Sequence, residues 1–407
     1  MEQHSPGIDT VSGRHQFLRT ILSFSLIPLS GFATDIYVPS MPAMAMQLHV
    51  SSSVIQFTLV VFMVSYGIGQ VFVGSLLDSF GRYRLGTAAL LLFAVASFAI
   101  ALSQDIFLIQ AMRILQGISA AFIVVSKRAF FIDTFRGEQL KHYTSLFSII
   151  WATAPIIAPF IGAYLQRLFG WHSNFYFLGL YTLIVMAFEL YYGRESLLVR
   201  QPFQAKSILL AYLHVVSTLD YVLGLVIVSL NYAMLVIYSM SSPFIIEHHY
   251  HLGSLITGYC SLLSGISFMA GGIISKVFIS KPFNKKMLVA LGLQVLVSVA
   301  MLGIAGPKSN IYSFMGFTLF IHLLSGFMFN NVFAYCLQRF TKTAGIASGI
   351  TGGALYVLTS VFSYGLANAM KIGNQQMLAC AFVVLALFTG ITYYGFNRAK
   401  ENIPVLN

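Results

Sequence analysis

Long apolar runs separated by short polar gaps fill the chain, and a bilayer-spanning helix needs about 20 mostly apolar residues. Twelve such runs are read at 17–40, 53–77, 84–104, 106–126, 143–166, 173–193, 219–245, 253–276, 286–306, 311–336, 344–369 and 375–396. Backbone groups in hydrocarbon find no water to bond, so an open-ended span must satisfy them internally as a helix. The pattern predicts an all-α membrane protein of twelve transmembrane helices. Residues 194–218 form the longest connection; they carry Arg194, Arg200, Pro202 and Lys206 and read as a cytoplasmic linker with a short interfacial helix. This gives a polar tail over 1–16, a six-helix bundle over 17–193, the linker 194–218, a second six-helix bundle over 219–396 and a tail over 397–407. The first run is too long for a signal-peptide core and is read as a retained helix.

Composition points the same way. The chain is 57% hydrophobic and 9% charged, whereas a soluble protein is about one quarter charged. Too few polar residues remain to cover so large a core, and lipid must cover part of the surface. The net charge is +11, and its placement sets the orientation. With a cytoplasmic N-terminus, 19 of the 23 Lys and Arg fall on the cytoplasmic side. Only Arg167, Lys308 and Lys371 fall outside, and Arg113 lies within a span. That bias places both termini in the cytoplasm and supports an even helix count. The cations cluster between spans rather than along one face, and no aromatic-basic motif accompanies them, which argues against nucleic acid. Cys260, Cys336 and Cys380 lie in apolar runs without CxxC spacing and read as packing residues, with no disulfide or metal role.

The two halves read as diverged copies. Ile36-Tyr37 with Pro42 in span one matches Ile237-Tyr238 with Pro243 in span seven. Arg113 and Gly117 in span four match His322 and Gly326 in span ten. Ala154, Ala158 and Gly162 in span five match Gly345, Gly349 and Gly353 in span eleven. Such duplication favours a substrate site between the halves.

Polar residues inside the apolar runs carry the candidate chemistry. Asp35 is the clearest carboxylate within a span. Desolvation disfavours its ionised form and a nearby cation favours it. Arg113 costs about 2.5–3.5 kcal/mol to place at a span centre. At 1.5 Å per residue, Asp35 and Arg113 both lie roughly 9–12 Å from the outer helix ends and share one layer. Asp35 is therefore read as the residue that takes up and releases a coupling proton, with Arg113 tuning it. His322 is a second proton site or a satisfied core histidine. Tyr37, Tyr66, Gln116, Trp151, Asn231, Tyr232, Tyr238 and Asn330 are candidate cavity residues, because aromatic and amide groups buried in spans need polar partners or a solute. The run Glu247 to His251 reads as a solvated loop or a metal contact, and no metal site is assigned.

The connection from Gly74 to Arg84 has Gly74, Leu76, Asp78, Gly81, Arg82 and Arg84 at the offsets of the major facilitator superfamily signature, which it resembles. The resemblance implies a gate on the cytoplasmic side that latches the two halves. Arg113 with Gln116 and Gly117 resembles a second signature, found in helix four of proton-coupled members. Pro155, Pro159 and Gly162 resemble the helix-five antiporter signature, in a form with Pro-x-x-x-Pro-x-x-Gly; two prolines remove two helix donors and kink the span. Phe32, Thr34, Asp35, Tyr37, Pro39 and Pro42 resemble the first-helix motif of the Bcr/CflA-type drug:proton antiporters. The resemblance covers nearly the whole chain. It implies a monomeric secondary transporter of the bacterial inner membrane that exports small amphipathic compounds against protons. A dedicated exporter or importer of one metabolite or siderophore-like chelate, and a channel, are the alternatives. No Walker A sequence, HExxH, paired carboxylates or Ser-His-Asp cluster appears in the spans, so neither an enzyme nor a cofactor is expected.

Overall fold

The structure is a computed structural model that describes residues 13–197, 199–200, 213, 215–304, 309–340 and 344–401. Among the described residues every regular element is helical, and twelve helices are long and apolar enough to cross a membrane. In chain order, spans one to six are His15–Gln47, Ser52–Phe80, Arg82–Leu102, Ile106–Thr134, Gly137–Phe169 and His172–Tyr192. Spans seven to twelve are Leu219–His249, Ser254–Val277, Phe283–Ile304, Ile311–Gln338, Ala347–Met370 and Gln375–Glu401. Each predicted run coincides with one of them. Of the linker expected over 194–218 with its interfacial helix, residues 198, 201–212 and 214 lie outside the described residues.

Several helices outrun their apolar stretch. Span two continues through Gly74 and Asp78 to Phe80, so most of the expected turn is helix. The chain reverses at Gly81, whose φ of 99° is a conformation that favours glycine. Polar residues at the end of a span can stay helical because water satisfies what the helix leaves open.

Span one is jointed. It consists of Gly13–Leu26, Leu29–Asp35, a 3-10 turn Val38–Ser40 and Met41–Gln47. Pro28, Pro39 and Pro42 flank or open these pieces, each lacking the N–H that would continue the ladder. Asp35 ends the second piece. Leu29–Asp35 packs on spans four and five, whereas Val38–Ser40 also rests on spans seven and eight. Span seven carries Pro243 near its end and turns into a π-helical stretch, Ile245–His249. Span five keeps Pro155 and Pro159 inside one continuous helix.

The helices form two six-helix bundles. In the first, span four packs on spans two and three, and span three packs on span six; in the second, span seven packs on ten, eleven and twelve, and span eight on ten. Span two meets span eleven and span five meets span eight across the seam. The first seam is a glycine contact: a Cβ on Gly67 would sit 2.6 Å from the carbonyl oxygen of Gly353. Phe107, Ile184, Phe188, Leu296, Val361 and Ile391 are exposed on the outside of the helices, an apolar surface suited to lipid.

Candidate functional site

A small cavity lies between the bundles. Thr34 and Asp35 of span one, Leu59 of span two, and Pro155 and Pro159 of span five form one wall. Tyr232, Leu235, Val236, Tyr238 and Ser239 of span seven, with Ser261, Ser264 and Gly265 of span eight, form the other. Asp35 is 9% exposed and takes part in no ion pair among the described residues. The joint in span one brings it to the wall. Gly162 holds that joint close, since a Cβ there would lie 1.6 Å from the carbonyl oxygen of Ile36.

Arg113 is fully buried behind Asp35. Its guanidinium lies between the Tyr37 and Phe62 rings, 4.7 and 4.3 Å from their centroids. It donates to the carbonyls of Thr58 at 3.2 Å and Ala33 at 2.8 Å, and to Gln116 Oε1 at 3.0 Å. One nitrogen, Nη2, has no hydrogen-bond partner. A planar, weakly hydrated guanidinium tolerates such a setting of carbonyls and aromatic faces. Arg113 and Asp35 act on one another electrostatically without a direct bond. Arg113 is fixed in the first bundle, bonded to the backbone two residues before Asp35, which stands at the cavity.

Of the eight candidate cavity residues, Tyr232 and Tyr238 line this cavity. The others have different surroundings. Tyr37 stacks on Arg113 and shares a hydrogen bond with Thr58 Oγ1 at 2.9 Å. Gln116 donates to Ser97 Oγ at 2.7 Å, inside the first bundle. Tyr66 meets Tyr356 edge to face at 4.8 Å, across the seam between spans two and eleven. Trp151 is partly buried against the core. Asn231 donates to the carbonyl of Ile227 and accepts from Gln294, within the second bundle. Asn330 donates to Gly272 and Ser275. Tyr37, Gln116, Asn231 and Asn330 find hydrogen-bond partners in helix contacts, because an amide or phenol buried in a span costs too much unpaired. The serines of spans seven and eight were missed; the signal was a polar i, i+3 pair, Ser261 and Ser264, in an apolar run.

His322 is fully buried and stands one layer behind the wall. Its Nδ1 lies 2.6 Å from Ser264 Oγ and its Nε2 3.3 Å from the carbonyl oxygen of Met234. The Glu247–His251 run begins in the π-helical stretch, with His248, His249 and His251 exposed. Among the described residues no group of three or more His, Cys, Asp or Glu is arranged to hold a metal.

The signature residues gather at the face of the molecule where span two ends. Asp78 pairs with Arg82 at 2.9 Å, and Arg82 also pairs with Asp133 of span four. Glu195 accepts from the backbone N–H of Arg82 at 3.0 Å and of Tyr83 at 3.2 Å, capping span three where its dipole favours an anion. Lys127 pairs with Glu189 at 2.7 Å. Gly74 has open space beside it and Arg84 is exposed. These contacts stay within the first bundle and the residues just after it; among the described residues none is a latch onto the second bundle. The second bundle has its own clasp at this face, with Asp220 accepting from Tyr335 at 2.6 Å and from Arg339 at 2.7 Å. At the opposite face the bundles are tied together. Gln56 of span two donates to the carbonyl of Met240 of span seven at 3.0 Å, and Tyr164 of span five bonds Tyr259 of span eight at 2.8 Å.

Comparison with known proteins agrees with this architecture. Residues 24–364 match the family described as Major Facilitator Superfamily. An uncharacterized MFS-type transporter YdgK of Bacillus subtilis is 25% identical, with 96% of this chain and 98% of the relative covered. The bicyclomycin resistance protein homolog of Haemophilus influenzae is 24% identical over 93% of this chain and 95% of its own. The multidrug resistance protein MdtL of Shewanella oneidensis is 27% identical over 95% and 99%. Among solved structures, a D-xylose-proton symporter superposes with a TM-score of 0.71 at 14% identity, covering 92% of this chain and 97% of its own, which is a likeness of fold. Matched along most of its length and built as two bundles of six membrane-crossing helices, the chain belongs to the Major Facilitator Superfamily and is a multi-pass membrane transporter.

Proposed function

We propose that this transporter exports small, amphipathic, drug-like compounds in exchange for protons, with Asp35 carrying the proton. One observation carries the reading: a carboxylate with no ion-pair partner among the described residues stands in the wall of a cavity shared by both bundles. The printed names of the bicyclomycin-resistance and multidrug-resistance relatives support a drug-like cargo.

The face bearing Arg82, Lys127 and Arg339 is the cytoplasmic one, by the excess of cations there. Both termini lie on that side of a bacterial inner membrane, and the chain works as a monomer. Cargo enters from the cytoplasm, and the bundles rock about the span two–eleven and span five–eight seams. An ionised Asp35 holds a cargo with a positive or donor-bearing group; a protonated Asp35 releases it. Arg113, fixed by carbonyls and rings, supplies a constant positive field that does not move with the cargo. A proton moving inward through 100 mV releases about 2.3 kcal/mol, which drives the cycle.

The test is transport by purified protein in vesicles under an imposed pH gradient. Wild type is expected to move the cargo against the proton flux, and Asp35→Asn to lose gradient-driven transport. An Asp35→Asn protein that keeps full gradient-driven transport overturns the reading.

A further inference from the structure

The wall opposite Asp35 has a directional hydrogen-bond character set by His322. The carbonyl of Met234 can only accept, so His322 Nε2 must carry a proton to bond it. His322 is fully buried and has no acidic partner among the described residues, conditions in which the neutral ring is the one accommodated. A neutral ring protonated at Nε2 has a bare Nδ1. Ser264, 2.6 Å away, therefore donates its hydroxyl proton to that nitrogen. Its oxygen, on a residue that lines the cavity, is left with lone pairs only.

The neighbouring wall groups extend this character. Ser261, one turn earlier on span eight, is 6% exposed, and its hydroxyl has no partner among the described residues. Tyr238 directs its hydroxyl away, toward Met315 Sδ at 3.3 Å. An ionised Asp35 on the other side is also an acceptor. Acceptors thus come from both bundles, and the hydroxyls of Ser261, Ser239 and Tyr232 also line the cavity.

Resting on the export reading above, we propose that the site selects amphipathic primary or secondary amines, whose N–H groups bridge Asp35 and Ser264, over quaternary cations of the same shape and charge. His322 is the positioning residue that makes Ser264 an acceptor. A quaternary ammonium satisfies the charge of Asp35 but leaves Ser264 facing a methyl group.

Titration calorimetry of the purified full chain with 4-phenylbutylammonium and its N,N,N-trimethyl analogue tests this. Wild type is expected to bind the primary ammonium about tenfold more tightly, the scale of one good hydrogen bond. Ser264→Ala and His322→Phe should each bring the ratio to about twofold or less with quaternary binding retained, and Ser264→Thr should preserve it. Retained quaternary binding also reports an intact fold. A wild-type ratio near one, or a ratio that survives Ser264→Ala, overturns the inference. Either result leaves the Asp35→Asn transport experiment, which judges the export reading, standing on its own.

Discussion

Arg113 Nη1 lies 2.8 Å from the carbonyl oxygen of Ala33, two residues before Asp35. The interior cation is thereby attached to the backbone that ends in the cavity carboxylate, without neutralising it. Arg113→Lys is not conservative here. Lysine lacks the planar fork that serves Ala33, Thr58 and Gln116 together and cannot fill the slot between Tyr37 and Phe62. Each buried acceptor left unpaired costs about 1–3 kcal/mol. Arg113→Lys is expected to lower the melting temperature and to cut gradient-driven transport at least tenfold, on the order of one such loss. Thermal denaturation and vesicle transport check the two effects.

Binding at Asp35 should depend on pH with a definite sign. The ionised carboxylate attracts a cationic cargo and the protonated one does not, so affinity rises as pH rises through its titration range. The slope is at most one proton per cargo. In Asp35→Asn the dependence should flatten, and affinity for 4-phenylbutylammonium should fall by about tenfold or more, the value of a charge-assisted bond. Calorimetry over a pH series distinguishes this from a general loss of folding, which would remove binding at every pH.

The ties at the face opposite the basic one should set how readily the bundles part there. Gln56→Leu removes the donor to Met240, and Tyr259→Phe removes the hydroxyl partner of Tyr164. A hydrogen bond contributes about 0.5–1.5 kcal/mol net, so each change shifts the balance toward opening at that face by about two- to tenfold. Spin-label distances across that face, between spans two and seven, should show a larger separated population in the variants.

The glycine seam should tolerate no side chain. A Cβ on Gly353 would lie 2.5 Å from the carbonyl oxygen of Gly67 and 2.6 Å from the Val71 side chain, which leaves it no room. Gly353→Val is expected to pry span eleven from span two and to abolish transport. A change to alanine should already lower the melting temperature, whereas alanine at Gly303, where nothing lies within 4 Å, should be silent. Melting curves of the two variants make the comparison.

The twelve crossings were legible because lipid imposes one requirement on every span, a long apolar run, and composition records it directly. Asp35 and Arg113 were legible for the complementary reason: a charge in such a run is expensive enough to stand out. The breaks in span one were less visible, although Pro28, Pro39 and Pro42 hinted at them, because a proline can sit inside a continuous helix, as in span five, or stand where one piece ends and the next opens. The cavity wall was hardest. Tyr232 and Tyr37 look alike along the chain, and only packing places one at the cavity and the other on a guanidinium. Serines such as Ser261 bond their own helix so often that their presence in a span carries little information.

The first crossing behaves mechanically as a knuckle. Its inner piece, Leu29–Asp35, travels with spans four and five, while the turn at Val38–Ser40 also leans on spans seven and eight. A swivel of one bundle against its twin would load the joint from Asp35 to Tyr37, next to a turn that touches both bundles. The acid proposed to exchange hydrogen ions thus sits at the joint that touches both bundles, and a change in its charge and a change in the posture of the two bundles would act on the same few bonds.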